Sequence, residues 1–172
     1  TAVDQSSAMT RTRVQRGQCF VVDDALDELL GTITVNSAFD PNTDPWARAT
    51  PWYYRQDVAH LHQFAVEPSL QGKGLGDQLL GAVEQWASAR GHCAIALDTA
   101  IPATHLRAFY GKRGYENVDE VQWGGKCYRS VVMVKPLSTT PPSVTDLEHR
   151  CAKVRTYWAH VQARDWVSMR NC

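Results

Sequence analysis

The stretch FAVEPSLQGKGLGDQLL, residues 64–80, joins an apolar run to an amphipathic one through three glycines spaced two apart. Upstream of the glycines, DVAHLHQFAV (residues 57–66) alternates as a strand would. His60, His62, Phe64 and Val66 then fall on one face, and Leu61, Gln63 and Ala65 on the other. Pro68 ends this strand. Downstream, Leu75, Leu79, Val83, Trp86 and Ala87 recur at helical spacing, and Gly91 closes the helix. A glycine-rich turn between strand and helix lets backbone N–H groups approach an anion, and the helix N-terminus adds partial positive charge. A pyrophosphate is therefore the natural ligand of Gln71, Gly72, Lys73, Gly74, Leu75, Gly76 and Asp77. Two other phosphate loops fail on pattern: no G-x-x-x-x-G-K-[ST] string occurs, and the third glycine falls too early for G-x-G-x-x-G.

Working outward, residues 6–18 are polar with good helix formers, and Gly17 can close a short helix. CFVVDD and LLGTITVN read as two strands of a hairpin joined through DALDE. Residues 39–56 carry Pro41, Pro45 and Pro51 and form a long loop. After the central helix, CAIAL is a buried strand and HLRAFYGKR a short helix. Gly114-Tyr115 turns into another strand, and CYRSVVMVKP is the last, stopped by Pro136. The order of elements predicts an α/β domain around a mixed central β-sheet flanked by helices, over residues 1–137. STTPPS, residues 138–143, reads as a linker. Beyond it, Leu147, Cys151, Val154, Trp158 and Val161 predict an amphipathic helix within 144–172 that packs on the sheet or on another subunit, so a homo-oligomer is compatible.

Lys plus Arg and Asp plus Glu both number 18, which lacks the basic surplus of a nucleic-acid binder. No apolar run reaches the ~20 residues of a membrane-spanning helix. The five cysteines form no C-x-x-C pair, which argues against a disulfide framework or a zinc site and leads us to expect free thiols in the cytoplasm.

Residues 64–76 resemble the acyl-CoA motif of the GNAT superfamily of N-acetyltransferases, apolar-A-V-x-P-x-x-[QR]-x-x-G-x-[GA]. Phe109-Tyr110-Gly111-Lys112-Arg113-Gly114-Tyr115 resembles the same family's F-Y-x-x-x-G-[FY] signature. The resemblance covers about residues 18–137. It implies a GNAT fold, acetyl-CoA as cosubstrate and transfer of its acetyl group to a primary amine by direct attack in a ternary complex. It further implies that the Phe64, Ala65 and Val66 backbone pairs with pantetheine while the glycine loop holds the pyrophosphate. There are two departures. Ala103 stands where the family often has asparagine, and only 18 residues precede the hairpin, so the first strand and helix of the fold are expected to be replaced by another segment or to belong to a longer protein.

N-acetylation needs a neutral amine, a polarised thioester carbonyl and a proton for the leaving thiolate. The resemblance makes Tyr110 the proton donor. His60 and His62, two apart on one strand face, titrate in the range that lets an imidazole take a proton at neutral pH. Ala59-His60-Leu61-His62 also looks like the same stretch of the arylalkylamine N-acetyltransferases, which implies a proton relay. Two polar residues in a partly solvated cleft would look the same. Asp98 and Thr99 are expected to face the same cleft, where Asp98 would orient the amine or cap the next helix. Trp46, Trp52, Tyr53 and Tyr54 would wall a substrate pocket with a cation–π surface, or pin the loop as a satellite core. No metal site is expected. A protein or peptide acceptor and a non-catalytic CoA-binding module are the competing functions. VRTYWAHVQARDWVSMRNC loosely resembles the opening helix of SnoaL-like domains.

Overall fold

Nine regular elements follow one another in the computed structural model, which describes residues 6–137 except 25 and 27. They are α1 (Ser7–Arg16), β1 (Gln18–Asp23), β2 (Leu29–Asn36), β3 (Val58–Val66), α2 (Leu75–Ala89), β4 (Ala94–Ala100), α3 (Thr104–Gly111), β5 (Glu116–Val121) and β6 (Ser130–Pro136). Short 3₁₀ turns occupy Pro45–Ala49, Pro51–Tyr53 and Pro68–Leu70. The strands form one mixed sheet in the order β1-β2-β3-β4-β6-β5, in which β3 and β4 are the parallel pair. This is the mixed α/β sheet expected. The expected linker and the amphipathic helix of 144–172 lie outside the described residues. Among the described residues no helix is long and apolar enough to cross a membrane.

Local chemistry sets the boundaries. The Ser6 hydroxyl accepts from the Met9 N–H at 3.2 Å and caps α1, and the Gly17 N–H closes it on the Arg13 carbonyl. A Cβ at Gly17 would lie 2.6 Å from the Val35 carbonyl, so only glycine lets α1 turn straight into β1 against β2. One face of the sheet, with Ile33, Val35, Ala59, Leu61, Ile95, Leu97, Val131 and Met133, packs on Leu75, Leu79, Leu80, Val83 and Ala87 of α2. Each large side chain buried there contributes about 1.5–3 kcal/mol. The opposite face buries Val58, Ala94, Ala96, Val132 and Val134 under Ala47 and Tyr53 of the long loop.

Two irregularities shape what lies between. Strands β3 and β4 pair only at Val58–Ala94, Ala59–Ile95 and His60–Ala96. Past these residues each stays bonded to its outer neighbour, β2 or β6, and the two part. Second, Thr32 opposes Ala65 while Thr34 opposes His62, so Gln63 and Phe64 together face Ile33. This is a β-bulge, and Gln63 takes a left-handed φ of 47° within it. The extra residue reverses the alternation. His60 and His62 stay on the loop side of the sheet, whereas Phe64 and Val66 turn to the α2 side and pack on its core. The single face expected for His60, His62, Phe64 and Val66 is thus corrected.

Candidate active site

The glycine loop wraps the start of α2. Gly72 and Gly74 have φ of 75° and 86°, and open space lies where their side chains would be. Gly74 is the N-cap of α2. Gly76 is glycine for another reason: a Cβ there would stand 3.3 Å from Phe64 Cζ and 3.6 Å from Phe109 Cζ. The two rings brace the loop from below, 6.0 Å apart. Gln71 anchors it to the end of β3 by donating from Nε2 to the Val66 carbonyl at 3.3 Å. The backbone N–H groups of Gln71 and Lys73 are spent on the Pro68 and Leu70 carbonyls, both at 3.3 Å. The first-turn amides of α2, from Leu75 to Asp77, have no partner within the helix and are those left for an anion. The Asp77 carboxylate pairs with Arg113. The Arg113 guanidinium lies 3.6 Å over the Phe109 ring and donates to the Phe109 carbonyl at 2.6 Å. Sequence reasoning assigned no role to Arg113, which sets a cation beside the phosphate loop.

The loop leads to the gap between β3 and β4, where the edge of β3 past His60 carries the Phe64, Ala65 and Val66 backbone. His60 is fully buried at 0% exposure and His62 half-buried. Opposite them on β2 stand Asn36 and Thr34, as direct cross-strand partners. This row is polar and poorly bonded. Thr34 Oγ1, Asn36 Oδ1, both ring nitrogens of His60 and Nε2 of His62 are buried with no protein partner. Burial pushes the His60 imidazole down to about 3, helped by repulsion from His62 and His92. Burial likewise brings His62 down to about 4; Arg13 of α1 adds to the fall and Asp98 opposes it. Both imidazoles are neutral at pH 7.

Tyr110, on α3, is buried between Phe109 and Tyr115, with ring centroids at 5.2 and 5.6 Å. Burial, then the charge of Asp98, raises its phenol to about 12, so it keeps its proton throughout the neutral range. Ala103 is the N-cap of α3 and offers no side-chain cap.

Asp98 lies on β4, two residues past the last β3–β4 pair. Its Oδ1 accepts from the Tyr53 hydroxyl at 2.7 Å and its Oδ2 from Trp123 Nε1 at 2.8 Å. It shares the loop-side face with His60. Thr99 alternates to the other side and is buried there, so the two do not face one cleft as expected. Of the two alternatives for the loop aromatics, Tyr53 and Trp52 follow the satellite core that pins the loop. Tyr53 is 2% exposed and belongs to the core under the loop, stacked on His60. Trp52 only packs at the rim of that core, with the Arg55 guanidinium 4.9 Å from its ring, and Tyr54 is exposed. The rings that do gather with Tyr53 and Trp46 are Phe39 and Trp123. Sequence reasoning passed over both, although a tryptophan beside the turn glycines Gly124 and Gly125 was a signal to follow.

Residues 3–115 match the model of the Acetyltransferase (GNAT) family. An uncharacterized N-acetyltransferase of Methanocaldococcus jannaschii is 26% identical over 68 residues, which span 40% of this chain and 30% of that protein. Among solved structures, the fold is similar to that of an IAA acetyltransferase from Bacillus cereus, with TM-score 0.59 and 21% identity over 78% of this chain and 87% of that one. The ribosomal-protein-S18-alanine N-acetyltransferase of Escherichia coli gives TM-score 0.60 at 16% identity, covering 81% and 82%. An acetyltransferase from Elizabethkingia anophelis, with acetyl-CoA bound, gives 0.58 at 18% identity, covering 78% and 85%.

Proposed function

The chain belongs to the GNAT family of acetyltransferases, and from that premise we propose that it moves the acetyl group of acetyl-CoA to a primary amine in the gap between β3 and β4. The observation that carries this reading is the alignment of three things along one gap. The strands part beside the His60–His62 pair, β3 runs on unpaired with β4 to Val66, and the glycine loop then leads to the first turn of α2. An extended thioester arm fits such an edge by adding to it as a strand does, with its pyrophosphate on the helix N-terminus. The relative with acetyl-CoA bound shares this fold and supports the choice of cosubstrate.

In this reading the amine nitrogen attacks the thioester carbonyl carbon, the C–S bond breaks and the amine sheds a proton. Tyr110, protonated well past neutrality, gives the leaving thiolate its proton. His62 takes the proton of the amine and His60 stands behind it. Imidazoles held at about 4 and 3 do not retain a proton near pH 7, so they pass it on, which suits a relay better than a resting base. The resemblance to arylalkylamine N-acetyltransferases rests on these two histidines. Asp98, with both oxygens already accepting, shapes the acceptor end without being a proton carrier.

The test is release of CoA from acetyl-CoA over a panel of arylalkylamines, alkylamines, diamines and a peptide with a free N-terminus, with the acetylated product identified by mass. Acetylation of a small primary amine supports the proposal. Turnover of the peptide alone would replace it with a protein acceptor. Binding of acetyl-CoA without transfer to any amine would reduce the chain to a CoA-binding module.

A further inference from the structure

Asp98 is a carboxylate that two neutral donors hold in place and that no cation pairs with among the described residues. Its strand neighbours on that face of the sheet are the apolar Ala94, Ala96, Val132 and Val134, with His60 and His62 across the gap on β3. It is half-buried, and both of its hydrogen-bond donors are neutral. No ion pair of the described residues involves it, and the charge of Arg13 acts on Tyr53 and His62 beside it. A carboxylate withdrawn from water without a cation is costly, and such a cost persists where a ligand supplies the missing charge.

The groups that hold the carboxylate are aromatic. Trp123 donates to it through its indole edge. Trp46 meets Trp123 at 5.9 Å with planes 74° apart, so the two indoles form a near-right-angled corner. Tyr53 meets Trp123 at 5.5 Å and 76°, and Trp46 at 5.7 Å and 74°. Tyr53 is covered, with His60 stacked against it, and serves as the post that fixes Asp98. Trp46 is 43% exposed, so the ring cluster reaches the surface at this indole, which also packs on Phe39 at 4.6 Å. Perpendicular ring faces present converging negative quadrupoles, and an anion bonded to an indole N–H enriches that ring further. The combination suits an organic cation better than a metal ion, because carbon-bound hydrogens carry its charge onto the faces.

We propose that Asp98 with the indoles of Trp46 and Trp123 forms a recognition corner for an organic ammonium, through which the acceptor is selected as a cationic amine. That the cation is the acceptor rests on the acetyl-transfer reading, whereas the corner itself can be tested without turnover. The probes are choline, whose nitrogen cannot be acetylated, and its uncharged isostere 3,3-dimethylbutanol. Binding is read from tryptophan fluorescence and from the indole N–H resonances. Choline should bind at least ~10-fold tighter than the alcohol and should shift the Trp123 indole signal, the scale of one charge plus one or two ring faces. Asp98→Asn should erase most of that preference. Trp46→Leu, which keeps an apolar side chain against Phe39 and Tyr53, should weaken choline ~3- to 10-fold and the alcohol by less. Equal binding of choline and alcohol to the parent protein, or no binding of choline, overturns the proposal even if Asp98→Asn does not fold. Choline binding in a protein that acetylates no amine would sink the acetyl-transfer reading and leave the corner standing.

Discussion

The imidazole of His60 lies nearly flat on the phenol ring of Tyr53, with centroids 4.8 Å apart and planes 27° from parallel. Neither nitrogen of His60 has a protein hydrogen bond, so stacking holds this ring in place, and the Tyr53–Asp98 bond holds the stack. The long loop, β3 and β4 meet at that point.

This relationship predicts a graded response at residue 53. Tyr53→Phe keeps the stack and removes one charge-assisted hydrogen bond, which should destabilise the fold by about 1.5–3 kcal/mol. Tyr53→Ala also opens a cavity under the loop, and about 3–5 kcal/mol should be lost. Urea unfolding of both variants checks this. Equal stabilities for the Phe and Ala variants would mean that the ring does not support the loop.

Stability should fall in mild acid. Burial holds His60 and His62 at about 3 and 4 in the folded state, below the 6.5 of an ordinary imidazole. As pH drops below 6.5 the unfolded chain binds protons that the folded chain refuses, so unfolding gains ground until the native sites titrate as well. Melting temperature should therefore decline from about pH 6.5 towards pH 4. His60→Phe, which cannot titrate, should flatten that decline. An identical pH slope in the variant would contradict the burial of a neutral imidazole.

At the phosphate loop, a Cβ on Gly74 meets nothing within 4 Å, but the φ of 86° is one that side chains resist. Gly74→Trp should thus cost only about 1–2 kcal/mol of fold stability. It should still abolish the rise in melting temperature that acetyl-CoA gives the parent, because the indole fills the anion's approach. A retained ligand-induced shift would move the cofactor site elsewhere.

Much of this arrangement was legible in the residues. The glycine loop, the strand before it and the helix after it follow from local pattern, because turns and amphipathic faces are written in neighbouring positions. The bulge at Gln63 was not legible. Glutamine is no usual left-handed residue, and the extra residue is visible only against the register of β2. That missed bulge misplaced Phe64 and Val66. The Tyr53–Asp98–Trp123 bridge was hidden for a related reason: it spans separations of 45 and 25 residues, and such contacts leave no periodic trace. Between a pocket wall and a satellite core the residues of the loop left the choice open, and Tyr53 lies in the core, since a ring whose hydroxyl finds a carboxylate can enter one.

In the proposed mechanism the β3–β4 gap carries acetyl transfer with the histidines as proton relay and Tyr110 as acid. The most direct test is the pH dependence of kcat for the His60→Asn/His62→Asn double variant beside that of Tyr110→Phe. The double variant should lose ~100-fold or more at low pH, with the deficit shrinking as pH rises and the amine deprotonates unaided. Tyr110→Phe should behave in the opposite sense, its deficit growing with pH as water becomes a poorer proton source for the thiolate. Profiles that run parallel to the parent, each merely scaled down, would contradict the assignment of a distinct base and acid.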